Sequence, residues 1–317
     1  MRHSQAFAAA LAALALAPAA LAQEPAPPSP ATLVEEVEII ARLPGPALWR
    51  VSTPTSQIWL LGLASPLPKG FQWDDRRVAK ALDGARALVI PPVATAGLGD
   101  AIGLLIDSDH VLHLPPGQTV RASLSADLRQ RWEAAARSVG KDPAHYDHWR
   151  PVIAAAALTS DAVRRDDLAL GGAVIHVAQM AKGLRVKVRG LANYKAMDMI
   201  KSLSATPDDV SQTCIAMAAD NASTMTDDTP KRAAAWARGD LAAVRANEGR
   251  SADCLDRLPA ITDFKNRAAA DWAKELKTDL AQPGKVVVAI DLESLTRRGG
   301  LLDQLKAEGL EVIGPAY

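Results

Sequence analysis

Lys285-Val286-Val287-Val288-Ala289-Ile290 carries five consecutive apolar residues, four of them β-branched. A short run of this kind reads as a buried strand rather than as one face of a helix. Working outward, Gly300–Ala307 reads as a helix and Leu310-Glu311-Val312-Ile313 as a last strand, so the chain ends in alternating α and β elements. The same alternation opens the folded part. Ala47–Val51 and Gln57–Leu63 are strand-like, and Ser52–Ser56 between them reads as a hairpin turn. A loop with Pro66, Pro68 and Gly70 leads to a helix over Asp74–Leu82. Ala87–Ile90 is then a short buried strand stopped by Pro91-Pro92.

The middle reads mostly as helix. Ser125–Val139 begins at a Ser cap and repeats Leu128, Trp132 and Ala136 at helical spacing. Pro151–Val163 and Ala173–Ala181 follow, then an alternating strand at Leu184–Val188. Further helices are expected at Tyr194–Leu203, Asp208–Ala219, Lys231–Trp236 and Asp263–Leu280. The pattern predicts an α/β (α+β) fold: a central mixed sheet from the N- and C-terminal thirds, with a mostly helical middle segment packed over it.

The N-terminus reads as an export signal. Arg2 and His3 precede an apolar run from Ala6 to Ala17, and Ala20-Leu21-Ala22 has the small-x-small form of a cleavage site. The run is too short to span a bilayer, and no other stretch is long and apolar enough. Residues 1–22 are therefore expected to be a signal peptide and 23–46 a Pro-rich tether, with a short edge strand at Val34–Ile40. Residues 47–317 are expected to form one domain, periplasmic or secreted after cleavage near Ala22. In an oxidising compartment the two cysteines, Cys214 and Cys254, are expected to form a disulfide across a helical stretch.

Composition excludes several functions. Lys+Arg and Asp+Glu both number 36, which gives no electrostatic case for nucleic acid. No Gly-Lys-Ser/Thr loop and no G-x-S-x-G elbow occurs. Trp49 and Trp59 on the hairpin and Trp132, Trp236 and Trp272 on helices suit core packing. His110 and His113 point to opposite faces if their run is extended, and His145 and His148 suit surface or capping roles. His176 reads as a satisfied core imidazole. The pairs Asp74-Asp75, Asp166-Asp167, Asp208-Asp209 and Asp227-Asp228 read as acidic helix starts.

Several stretches, taken in order, resemble the TraB/GumN family, which includes the Tiki-type proteases. They are Pro46–Val51 with Ile58–Gly62, the Pro66-Leu67-Pro68 loop with Trp73, and His148-Trp149-Arg150-Pro151. Arg189-Gly190-Leu191, Trp236–Leu241 with its Gly239-Asp240, Lys265-Asn266-Arg267, and Gly299–Leu302 with Gly309–Val312 complete the set. The resemblance covers nearly all of residues 45 to 315. It implies two G-x-x-H motifs and a Glu at strand ends of one sheet, a set suited to a divalent metal. Here Ser65 and Ser294 stand in the two His positions, and Pro91 and Ala192 stand where Glu is expected. No His follows His176.

The expectation is therefore an exported pseudoenzyme, without metal or other cofactor, that binds an unknown ligand or an envelope protein. Ser65, Asp240, Lys265, Asn266, Asp291, Glu293 and Ser294 are the candidate cleft residues. The alternative is a hydrolase with replaced chemistry around Ser65, Asp291, Glu293 and Ser294, although a nucleophilic Ser requires a base within hydrogen-bond reach.

Overall fold

The computed structural model describes residues 45–95, 111–195, 200–247 apart from 202 and 204, and 254–317. The expected leader, the tether as far as residue 44, the strand expected at Val34–Ile40, and His110 lie outside them. The first third holds β1 (Leu48–Ser52), β2 (Ser56–Leu63), β3 (Leu67–Pro68), α1 (Arg76–Leu82), β4 (Ala87–Ile90) and β5 (Val93–Thr95). The middle holds α2 (Ala126–Ser138), α3 (Pro151–Arg165), β6 (Leu168–Ala169), α4 (Gly172–Gly183), β7 (Lys187–Gly190) and β8 (Asn193–Lys195). It continues with α5 (Asp208–Ala237), α6 (Leu241–Ala246) and α7 (Pro259–Leu280). The end holds β9 (Gly284–Asp291), α8 (Leu292–Thr296), α9 (Leu301–Ala307) and β10 (Val312–Ile313).

The main sheet is mixed, in the order β10-β1-β2-β9-β4-β7. β1 pairs antiparallel with β2 and β10, whereas β2, β9, β4 and β7 are mutually parallel. The apolar run Val286–Ile290 is thus an interior strand. Val286 to Ile290 are all buried, and alternate residues point to opposite faces, so both faces of β9 are covered. α1 and α4 pack toward β4, β7 and β9, and α7 packs toward β2. β3 with β6 and β5 with β8 make two small separate ladders.

Two hydrophobic cores result. One is built around the sheet. The other lies among α2, α3 and the N-terminal half of α5. α5 belongs to both: Val210, Ile215, Ala218 and Ala222 enter the helical core, and Ala233, Ala235 and Trp236 enter the sheet core. Small Ala side chains let α3 and α5 approach closely, as the Ala-rich composition suggests. Cys214 and Cys254 form a disulfide inside the helical core, with Cα atoms 4.9 Å apart.

Trp236 joins α5 to the sheet. Its indole is buried, and Nε1 donates to the Gly62 carbonyl at 2.8 Å. Trp236→Phe keeps an aromatic body but removes the indole donor from that carbonyl, and the expected loss is about 1 kcal/mol in a urea titration. A loss near zero would show that the bond is dispensable.

Several expectations are corrected. The helices expected at Asp208–Ala219 and Lys231–Trp236 are one helix, α5. The polar stretch around Pro230 suggested a break, but tertiary packing carries the helix through it. The strand expected at Leu184–Val188 begins later, because Leu184 and Arg185 form the turn that ends α4, with Arg185 at φ +60°. The helix expected from Tyr194 starts as β8, because Asn193–Lys195 pairs parallel with β5. β7 also adds a strand from the middle third to the sheet. Of the carboxylate pairs, only Asp74-Asp75 and Asp208-Asp209 lie at helix starts. Asp166-Asp167 follows α3, and Asp227-Asp228 lies inside α5.

Candidate functional site

The four parallel strands all end at one edge of the sheet. Leu63 at the end of β2 is in register with Asp291 at the end of β9, and Ile90 at the end of β4 with Gly190 at the end of β7. Carboxyl ends of parallel strands are where open α/β sheets place their ligands, because the connections diverge there and leave a crevice. Ser65, Pro91, Ala192 and Asp291 each lie at or just beyond one of these ends.

A cleft of about 390 Å³ opens beside β2 and β9. Ser65, Asp291 and Glu293 line its sheet side, and Asp228, Thr229 and Arg232 line it from the C-terminal third of α5. It therefore lies where the helical core meets the sheet core. Gly62 sets how close the elements come: a Cβ there would lie 2.4 Å from Leu292 Cδ1 and 3.4 Å from the Trp49 ring. The glycine of the first motif thus has a packing reason that needs no metal.

The Ser65 hydroxyl accepts from Gly171 N–H at 3.3 Å, and the Ser65 carbonyl accepts from Arg232 Nη2 at 3.3 Å. Asp291 is the N-cap of α8, with Oδ2 accepting from Ser294 N–H at 2.9 Å. Glu293 lies 3.6 Å from Lys265 Nζ, which also bonds Asp256 at 2.7 Å. Ser294 and Lys265 line a separate cavity of about 60 Å³. Ser294 therefore does not face Ser65 across the cleft, because the helical turn after Asp291 carries it to that neighbouring cavity.

Asp240 acts on the cleft indirectly. α5 ends at a left-handed Gly239, and Asp240 then caps α6 by accepting from Ala243 N–H at 3.2 Å. α6 supplies Val244 to the cleft wall. The Gly-Asp pair is thus a helix-stop, helix-start device. Asn266 is exposed on α7 and lines neither cavity.

Sequence reasoning missed Asp228, Thr229 and Arg232, because it placed a break where α5 is continuous. Their spacing was the available signal: positions 228, 229 and 232 share one face of a helix.

His176 is satisfied but is not a core residue. Its Nε2 lies 2.8 Å from Asp75 Oδ2, its side chain is 44% exposed, and its ring packs edge-on to Trp73. His113 makes an isolated bridge with Trp149, and its ring lies 5.6 Å from that of His148.

Near the cleft, Arg165 holds Asp166 through two 2.7 Å bonds, and Thr226 on α5 donates to the same carboxylate at 2.9 Å. The guanidinium, followed by the Thr226 hydroxyl, holds the Asp166 carboxyl below the usual carboxylate range. A depressed folded pKa contributes stability above the unfolded value, and that contribution is lost as pH falls through the folded value. Asp166→Asn is therefore expected to flatten the acid limb of a stability-versus-pH curve, measured by thermal melts below about pH 4. An unchanged acid limb would show that Asp166 is not among the linked groups.

Residues 47–313 match the model of the TraB/PrgY/gumN family. The chain belongs to that family. No curated protein and no solved structure was found to match it significantly.

The metal set implied by resemblance to family enzymes does not fit the residues present. Pro91 and Ala192 have no ligating side-chain atom, and Ser65 offers only a neutral hydroxyl that already accepts from Gly171. Asp291 spends one oxygen on a helix cap. Among the described residues no group of three or more His, Cys, Asp or Glu is arranged to hold an ion. In this family member, the strand-end positions support packing, helix capping and hydrogen bonding.

Proposed function

We propose that this chain is an exported, non-catalytic TraB/PrgY/gumN family member that binds a ligand in the cleft beside β2 and β9, in a binding or scaffolding role in the cell envelope. The observation that carries this reading is the donor set at the strand ends: a hydroxyl, a proline, an alanine and a helix-capping carboxylate stand where metal chemistry needs imidazole and free carboxylate. The cleft itself remains open, with a volume in the range of small-molecule sites. The charged start, apolar run and Ala20-Leu21-Ala22 of the N-terminus support export, and a disulfide is consistent with an oxidising compartment. No helix among the described residues is long and apolar enough to cross a membrane.

A hydrolase built on Ser65 lacks a base in place. The Ser65 hydroxyl bonds the Gly171 N–H, and no His, Asp or Glu among the described residues is hydrogen-bonded to it. The test combines metal analysis of the purified protein with fluorophosphonate labelling. The expected result is sub-stoichiometric metal and no label on Ser65. Stoichiometric zinc, cobalt or manganese with peptide hydrolysis would overturn the reading, and so would labelling of Ser65 that disappears in Ser65→Ala. Cell fractionation should find the chain processed after Ala22 in the envelope or medium. A full-length cytoplasmic chain would refute export.

A further inference from the structure

Resting on the binding role just proposed, we infer that the cleft takes a small hydroxyl-bearing primary amine, bound as its ammonium: a ligand with the size and groups of an amino sugar. The cleft is rich in acceptors. Among the described residues that line it, Asp228, Asp291 and Glu293 are carboxylates and Arg232 is the one cation, and Asp228 is held only loosely by Lys231 at 4.0 Å. Two of the acceptors have their inward geometry set by local bonds. Asp291 gives Oδ2 to the α8 cap, and among the described residues nothing bonds its Oδ1; Asn247 donates Nδ2 to the Ala243 carbonyl at 2.7 Å, which leaves its amide oxygen to accept. Lys265 reaches Glu293 only at 3.6 Å, from outside the cleft, so its ammonium does not saturate that carboxylate.

A second, independent feature lies in the wall. Thr229 is only 4% exposed and lines the cleft. Its hydroxyl makes no hydrogen bond among the described residues, yet it is not one of the side-chain atoms sealed from solvent. With the residue in the cleft lining, that hydroxyl is within reach of a ligand there. Water in the cleft can satisfy this hydroxyl, and a ligand hydroxyl that replaces the water gains a bond to a group the fold leaves unpaired. The hydroxyls of Thr224 and Ser65 extend the same polar wall, and Leu63, Val163 and Leu292 supply an apolar floor. A positive charge suits the carboxylates, a hydroxylated skeleton suits Thr229 and Asn247, and the carbon framework suits the floor.

The test is calorimetric titration of the purified mature protein with glucosamine, N-acetylglucosamine, glucose and spermidine. Glucosamine should bind, and N-acetylglucosamine and glucose should bind at least tenfold more weakly. Asp291→Asn keeps a helix cap but removes the charge, and Asp228→Asn removes a charge on a partly exposed helix position. Each should weaken glucosamine at least tenfold with little change in melting temperature, and Thr229→Val should weaken it several-fold. Equal binding of glucosamine and N-acetylglucosamine would overturn the inference, as would binding of spermidine but not glucosamine, or no binding at all. Those outcomes leave the non-catalytic reading untouched. Conversion of the amine during titration, seen by mass spectrometry, would sink that reading instead.

Discussion

Replacing Asp279 with Ala is expected to destabilise the protein by about 3 kcal/mol, because it takes from two guanidinium groups the buried carboxylate they share. Asp279 is 2% exposed in the last turn of α7. A carboxylate near a helix C-terminus is unfavourable by itself, since it faces the negative end of the dipole. Its position is explained by its partners. Arg86, just before β4, donates to Asp279 Oδ1 at 3.0 Å and to the Asp279 carbonyl at 2.8 Å. Arg189 on β7 donates to both carboxylate oxygens at 2.9 and 2.8 Å, and it also pairs with Glu275. One carboxylate thus ties α7 to β4 and β7.

Urea titration should show a lower midpoint with an unchanged slope. Asp279→Asn should cost less than Ala, since the amide can still accept one bond. A loss below about 1 kcal/mol for the alanine variant would mean that the two arginines find water or Glu275 at little cost.

The disulfide is expected to contribute a similar amount by a different route. It closes a loop with a sequence separation of 40 residues, and the chain-entropy relation gives about 4 kcal/mol for a loop of that length. The double variant Cys214→Ala, Cys254→Ala should melt well below the wild type, and reducing agent should bring the wild type toward the variant. The loss should be felt at the cleft as well. Leu255, next to Cys254, lines the cleft, and Asp256 holds Lys265. If the variant melts within a degree or two of the wild type, the helical core holds the two segments without the bond, and the entropic argument fails here.

Much of the fold was legible in the sequence. The hairpin at β1 and β2 shows as two strand-like runs around a polar turn. β9 shows as unbroken β-branched sequence because both its faces are buried, and α2 shows through its Ser cap and its Leu128–Trp132–Ala136 stripe. These features depend on neighbours in sequence, so a one-dimensional pattern carries them. α5 was not legible as one helix. Asn221 to Pro230 is polar and contains a helix-breaking residue, and what holds it helical is packing against two separate cores. β5 and β8 were missed because a three-residue parallel ladder has no local signature; each strand exists only through the other.

The candidate site divides in the same way. Ser65, Pro91, Ala192 and Asp291 could be found as the ends of strand-like runs, because side-chain chemistry and strand boundaries are written along the chain. That Ser294 turns toward another cavity, that Asp240 caps a helix, and that Asp228, Thr229 and Arg232 complete the cleft depend on where α5 and α8 pack. By itself the sequence determined the elements of the sheet, the family resemblance and the loss of imidazole at its edge. Only the tertiary structure decided which polar groups share a space, because burial and register are properties of contacts made across the whole chain.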